Sequence, residues 1–147
     1  MTPALFRLLI NCYPPYWGTG ISVKRLSSDY RRLTIQMKSR FYNRNYVGTH
    51  FGGSLYAMTD PFYMLMLIQN LGKEYWVWDK SASIDFIKPG RGPVTAEFRI
   101  DQALIDTIYS QTAEGQKYLP ELPVEVKDQN GEIVARIIKT LYIRRKE

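Results

Sequence analysis

The chain has 147 residues, enough for one domain with a core of its own, and 45% of them are hydrophobic against 23% charged, an ordinary globular balance. The net charge of +6 suits a solvated basic surface or attraction for an anionic ligand; the basic residues are scattered, with no helix-turn-helix or RNP pattern, which argues against nucleic acid. Cys12 is the only cysteine and His50 the only histidine, which excludes an intrachain disulfide, fits a reducing cytoplasm and leaves no ligand set for a structural zinc.

The first twelve residues carry Leu5, Phe6, Leu8, Leu9 and Ile10, without a basic stretch before them or a small-residue cleavage site after them. They predict a short amphipathic helix stopped by Pro14-Pro15. Residues 21–28 read as a strand. Residues 30–38 read as a cleaner one, with Leu33, Ile35 and Met37 alternating with Arg32, Thr34, Gln36 and Lys38. Ser27-Ser28-Asp29 is the turn between them, and Asn43, Asn45 and Gly48 mark a loop over 41–49.

Residues 53–70 predict a helix that Gly72 ends. It is hydrophobic on every face, as a helix enclosed by protein should be. Asp60, Pro61, Gln69 and Asn70 within its apolar run argue for a core helix over a membrane span. Pro61 either kinks one continuous helix, the reading adopted, or opens a second segment capped by Asp60.

Strands follow. Ala82, Ile84 and Phe86 alternate with Ser81, Ser83 and Asp85 within residues 76–88, and 89–93 turn. Val94, Ala96, Phe98 and Ile100 set a strand over 94–101, and residues 102–114 a short helix. Val124 and Val126 lie in a strand, 128–131 is a hairpin turn, and 132–144 is a long final strand. Ile137-Ile138 puts apolar side chains on both faces there, the mark of a central strand or a bulge. The layout is one α+β domain over 1–147, a mostly antiparallel sheet curved about one buried helix.

The chemistry gathers between Gly48 and Pro61. Gly52-Gly53 at a helix start would expose backbone N–H groups able to hold a developing negative charge. Asp60 is the one acid in the apolar run, and a buried acid is costly unless it is paired or used. The plain alternatives are close packing for Gly52 and Gly53, an N-cap for Asp60, a turn for Asn45 and, the preferred one here, loop bracing for His50.

This element order, with Gly-Gly opening the buried helix, resembles the hotdog fold. The segment from 45 to 90 is similar to hotdog acyl-CoA thioesterases of the phenylacetate-pathway type, whose helix opening has an Asn, a His-Gly-Gly and an acid two turns on. Asn45, Gly52, Gly53 and Asp60 fit that spacing, while Phe51 stands at the histidine position and His50 one place earlier. The resemblance implies hydrolysis of an acyl-CoA thioester as substrate, with no further cofactor and no metal. It implies Asp60 as general base or nucleophile, Gly52 or Gly53 as oxyanion clamp, and Asn45 and Asp79 as polar site residues. His50, Phe51 and Tyr56 would touch the ligand, with Phe62, Tyr63 and Met64 as possible acyl-pocket residues. Lys88 and Arg91, with Arg40 and Arg44, would meet the carrier's phosphates. The site would lie between subunits of a homodimer or dimer of dimers, Asp60 of one chain facing Asp79 of the other. For Asp79 itself, a strand-edge charge is the preferred plain reading. The shifted histidine and Pro61 keep open a non-catalytic acyl-binding module, and a hotdog dehydratase or hydratase is a third reading.

Overall fold

A computed structural model describes residues 1–146. Its strands are β1 (Ile21–Leu26), β2 (Arg32–Met37), β3 (Tyr75–Phe86), β4 (Val94–Arg99), β5 (Lys117–Tyr118), β6 (Glu121–Lys127) and β7 (Ile133–Arg145). They form one antiparallel sheet in the order β1-β2-β4-β6-β7-β3, with β5 also pairing with β7. The expected strands are present; the two-residue β5 had no sequence signal. β7 is internal, flanked by β6 and β3, which explains apolar residues on both its faces. Its inward row is Ala135, Ile137, Lys139, Leu141 and Ile143, all fully buried.

The N-terminal helix α1 (Pro3–Asn11) starts on Thr2, whose hydroxyl accepts from the Leu5 N–H at 3.3 Å. Its Phe6 is buried edge-on against Tyr30, and Asn11 accepts from the Val23 N–H at 2.7 Å, pinning the helix to β1. Pro14-Pro15 do more than stop α1. They open a short helix, α2 (Pro14–Trp17), where a missing N–H is harmless.

The expected continuous helix is broken in two: α3 (Gly52–Ala57) and α4 (Phe62–Leu71). Pro61 has no N–H to continue the ladder. The chain closes α3 with local bonds instead: Asp60 N–H to Ala57 carbonyl at 3.2 Å and Thr59 hydroxyl to Tyr56 carbonyl at 2.8 Å. Asp60 caps neither segment; it sits in the turn, before a cis bond to Pro61. The buried Tyr16 hydroxyl donates to the Asp60 carbonyl and fixes that turn from α2.

α4 buries Phe62, Tyr63, Met66, Leu67 and Leu71, and both Phe62 and Tyr63 pack on Phe98 of β4. Burial of each such side chain is worth roughly 1.5–3 kcal/mol. Enclosure is incomplete, however: Met64, Leu65 and Ile68 stay half-buried along one flank. A last helix, α5 (Gln102–Gln111), is capped by Asp101, which accepts from the Leu104 N–H at 2.8 Å.

β3 carries the feature that matters most for the site. Asp79 pairs with Leu141, but Ser81 pairs with Thr140, so Lys80 is an extra residue in the ladder. Such a bulge re-aims side chains. Before it, Val77 and Asp79 face inward while Trp76 and Trp78 lie outside. After it, Ala82, Ile84 and Phe86 oppose the inward row of β7 at Lys139, Ile137 and Ala135.

Candidate active site

Lys139 has a side chain with 0% exposure, in a row otherwise filled by aliphatic residues. A buried ammonium must be paired. Its Nζ is 2.5 Å from Asp60 Oδ1, 3.0 Å from Asp79 Oδ1 and 3.4 Å from the Tyr56 hydroxyl oxygen. It also lies 5.1 Å from the centre of the Tyr56 ring. Four elements supply these groups: the inner strand β7, the bulged strand β3, helix α3 and the turn that follows it.

The two acids differ. Asp60 retains 39% side-chain exposure, so it is not the buried acid the sequence suggested. Its Oδ1 is held by Lys139, and its Oδ2 is accessible and carries no hydrogen bond among the described residues. Asp79 has 19% exposure, and Lys139 approaches it obliquely, so neither of its buried oxygens accepts a well-formed hydrogen bond. Burial raises the Asp79 carboxyl above the ordinary value, more than Lys139 lowers it. For Lys139, burial acts to lower the ammonium, and the nearby carboxylates of Asp60 and Asp79 outweigh it and hold it above its usual range.

Beside this cluster, Asp60 lines a pocket of about 340 Å³ with Ile10, Tyr13, Pro15, Tyr16, Ala57, Pro61 and Leu65. A second pocket, also about 340 Å³, lies over the start of α3. Asn45, Thr49, His50, Gly52, Leu55, Phe86, Lys88 and Gly90 line it. The expected site residues therefore fall into two groups within one chain. Asp60, Asp79 and Tyr56 meet on Lys139; Asn45, His50, Gly52 and Lys88 meet at the other pocket. Asp60 faces Asp79 of its own chain across Lys139.

Each member of the second group has a structural duty. Asn45 Oδ1 accepts from the N–H groups of Val47 and Thr49 at 3.1 and 3.0 Å, and its Nδ2 donates to Thr49 Oγ1 at 2.9 Å. That is a closed Asx turn. His50 is buried, its N–H donates to Gly90 carbonyl at 2.9 Å, and its Nε2 meets Gly92 carbonyl at 2.6 Å, so it braces this loop to the 89–93 turn. The Lys88 ammonium is engaged by Asp128 at 2.6 Å and by Glu132, so it is not an idle phosphate contact. Arg91, Arg40 and Arg44 are exposed. Gly52 and Gly53 run beneath aromatic rings: a Cβ on Gly52 would stand 3.0 Å from Phe86, and one on Gly53 2.6 Å from Phe51. Phe51 is exposed, and Phe62 and Tyr63 are buried against Phe98 in the core.

Lys139 was missed in the sequence. The signal was present: in 135–143 every second residue reads Ala, Ile, Lys, Leu, Ile, a lysine in an otherwise aliphatic inward row.

A curved antiparallel sheet wrapped around a central helical segment is a hotdog fold. The chain belongs to the family described as a domain of unknown function, DUF4442, whose model matches residues 2–143. Among solved structures it is similar to a Pseudomonas aeruginosa protein described as a probable thioesterase, at 19% identity and TM-score 0.86, covering 99% of this chain and 97% of that one. A Haemophilus influenzae thioesterase is similar at 13% identity and TM-score 0.70, covering 99% and 92%. A second P. aeruginosa thioesterase, crystallised as a point variant, matches at 12% identity and TM-score 0.68, covering 99% and 95%. These likenesses establish the fold. No functionally curated protein matches the sequence. Among the described residues no helix is long and apolar enough to cross a membrane.

Proposed function

We propose that the protein is a thioester hydrolase acting on an acyl-CoA, with Asp60 as the working acid. One observation carries the reading: Asp60 has one oxygen fixed on a buried ammonium, keeps 39% of its side chain exposed and lines a pocket of apolar and aromatic side chains. Hotdog neighbours described as thioesterases support the reaction class. In the direct route, Asp60 takes a proton from water as the water oxygen bonds to the thioester carbon. The resulting oxyanion collapses, the C–S bond breaks, and the leaving thiolate takes the proton from Asp60. In the covalent route Oδ2 itself attacks, the thiolate leaves, and water hydrolyses the mixed anhydride. An N–H of Gly52 or Gly53 is the oxyanion clamp, a donor whose loss typically costs about 10²–10³ in rate.

The clamp and the acid line different pockets of one chain, so the reading requires a second copy that brings one next to the other. The surface supports such a copy. β3 is a twelve-residue edge strand paired only with β7. Phe41, Tyr46, Val47, Phe51 and Phe86 are all exposed around the second pocket's loop. Open edges and large apolar patches mark association surfaces.

The same separation of Gly52 from Asp60 favours one alternative, acyl-CoA binding without cleavage. A panel of acyl-CoAs with free-thiol detection tests both. Thiol release that Asp60→Asn abolishes supports the hydrolase; binding without thiol release supports the alternative. Trapping of an acylated Asp60 in single turnover separates the two routes, because only the covalent one forms an anhydride at Asp60.

A further inference from the structure

We propose that Lys139 is the positioning residue of this site, fixing one oxygen of Asp60 so that the other is presented to the reacting atoms. The inference rests on Asp60 being the working acid. An ammonium has three N–H groups. Lys139 has three oxygens around it, on Asp60, Asp79 and Tyr56, none farther than 3.4 Å, and no exposure to water. A residue serving only to fill space at this point of β7 would be aliphatic like Ile137 and Leu141 beside it. A charge costs more there, and replacing buried ion pairs by apolar groups is often neutral or stabilising. The retained charge therefore points to the acid it grips rather than to the core.

The division of labour follows from the geometry. Asp79 is deeper and carries no well-formed hydrogen bond, so it balances the ammonium electrostatically from the side of β3. Asp60 is nearer to Lys139 and open to solvent, so it can do chemistry. Tyr56 contributes its hydroxyl and ring face from α3, and Tyr16 holds the Asp60 backbone from α2. These are the titratable groups that face the ammonium or its acid.

The test is Lys139→Met, which keeps the length and removes the charge. Expected is a fall in kcat of at least about tenfold with KM little changed, the split that loss of a positioning contact produces and that general loosening of the fold does not. Should Lys139→Met fold poorly, the double variant Lys139→Met/Asp79→Asn removes both charges and must show the same fall in kcat at little-changed KM. A kcat that stays at the wild-type value, or a loss carried by KM alone, would overturn the role of Lys139, given wild-type turnover that Asp60→Asn abolishes. Turnover that survives Asp60→Asn would instead overturn the hydrolase reading.

Discussion

Asp79 and Lys139 stand 3.0 Å apart, Asp79 directly before the bulge that the extra residue Lys80 makes in β3. The pairing is oblique and buried, so the Asp79 carboxyl lies above its ordinary value of 3.8 in the folded chain. The folded state thus holds this proton more tightly than the unfolded one. Ionised Asp79 opposes folding once pH exceeds its folded pKa, and that penalty disappears below the unfolded value. The stability of the wild type relative to Asp79→Asn should therefore increase as pH falls through this window and level off below it. Urea unfolding across about pH 3 to 7 checks the sign; a constant or reversed difference refutes it.

Asp60→Asn should lower kcat at least about 10²-fold, the scale of lost general-base catalysis. It should also lower stability by about 1–3 kcal/mol, because a buried ammonium loses its nearest charged partner. Read from sequence alone, the same substitution would relieve an unpaired acid and leave stability unchanged or higher. Thermal unfolding beside turnover distinguishes these, and an unchanged Tm would argue against a tight Asp60–Lys139 pair.

Asn45→Ala is expected to damage the fold and the rate together. Its side chain closes the 45–49 turn with hydrogen bonds to Val47 and Thr49. Loss of these should cost about 1–3 kcal/mol. A variant of wild-type Tm but low kcat would instead make Asn45 a ligand contact.

His50→Ala should cost stability far more than activity, since the ring ties two loops through Gly92. Melting measured alongside thiol release decides it: a large kcat loss at unchanged Tm would place His50 in the chemistry.

In solution the protein should sediment as at least twice the 17.2 kDa chain mass at micromolar concentration. A species of single-chain mass that still hydrolyses thioesters would remove the shared-site reading.

The fold was legible because its signals are periodic. Leu33, Ile35 and Met37, or Val94, Ala96 and Phe98, alternate cleanly and are buried as that alternation requires. Helix periodicity, by contrast, ran straight through Pro61, because both segments are apolar; only the local bonds at Ala57 to Asp60 show the break. The site was half legible. Asp60 stands out as an acid in an apolar run. Its partners lie 79 residues away in Lys139 and behind a bulge at Asp79, and neither distance leaves a mark on local pattern.

The order of the strands also sets an order of events. β3 precedes β7 in the sequence but pairs with the sheet only through it. Until residue 139 arrives, Asp60 and Asp79 are two acids with no cation between them, and the longest edge of the sheet has no partner. A chain cut short before β7 would hold neither its outer strand nor its charge balance. The lysine that pairs with both acids thus ties the docking of the outer strand to the charge balance of the site.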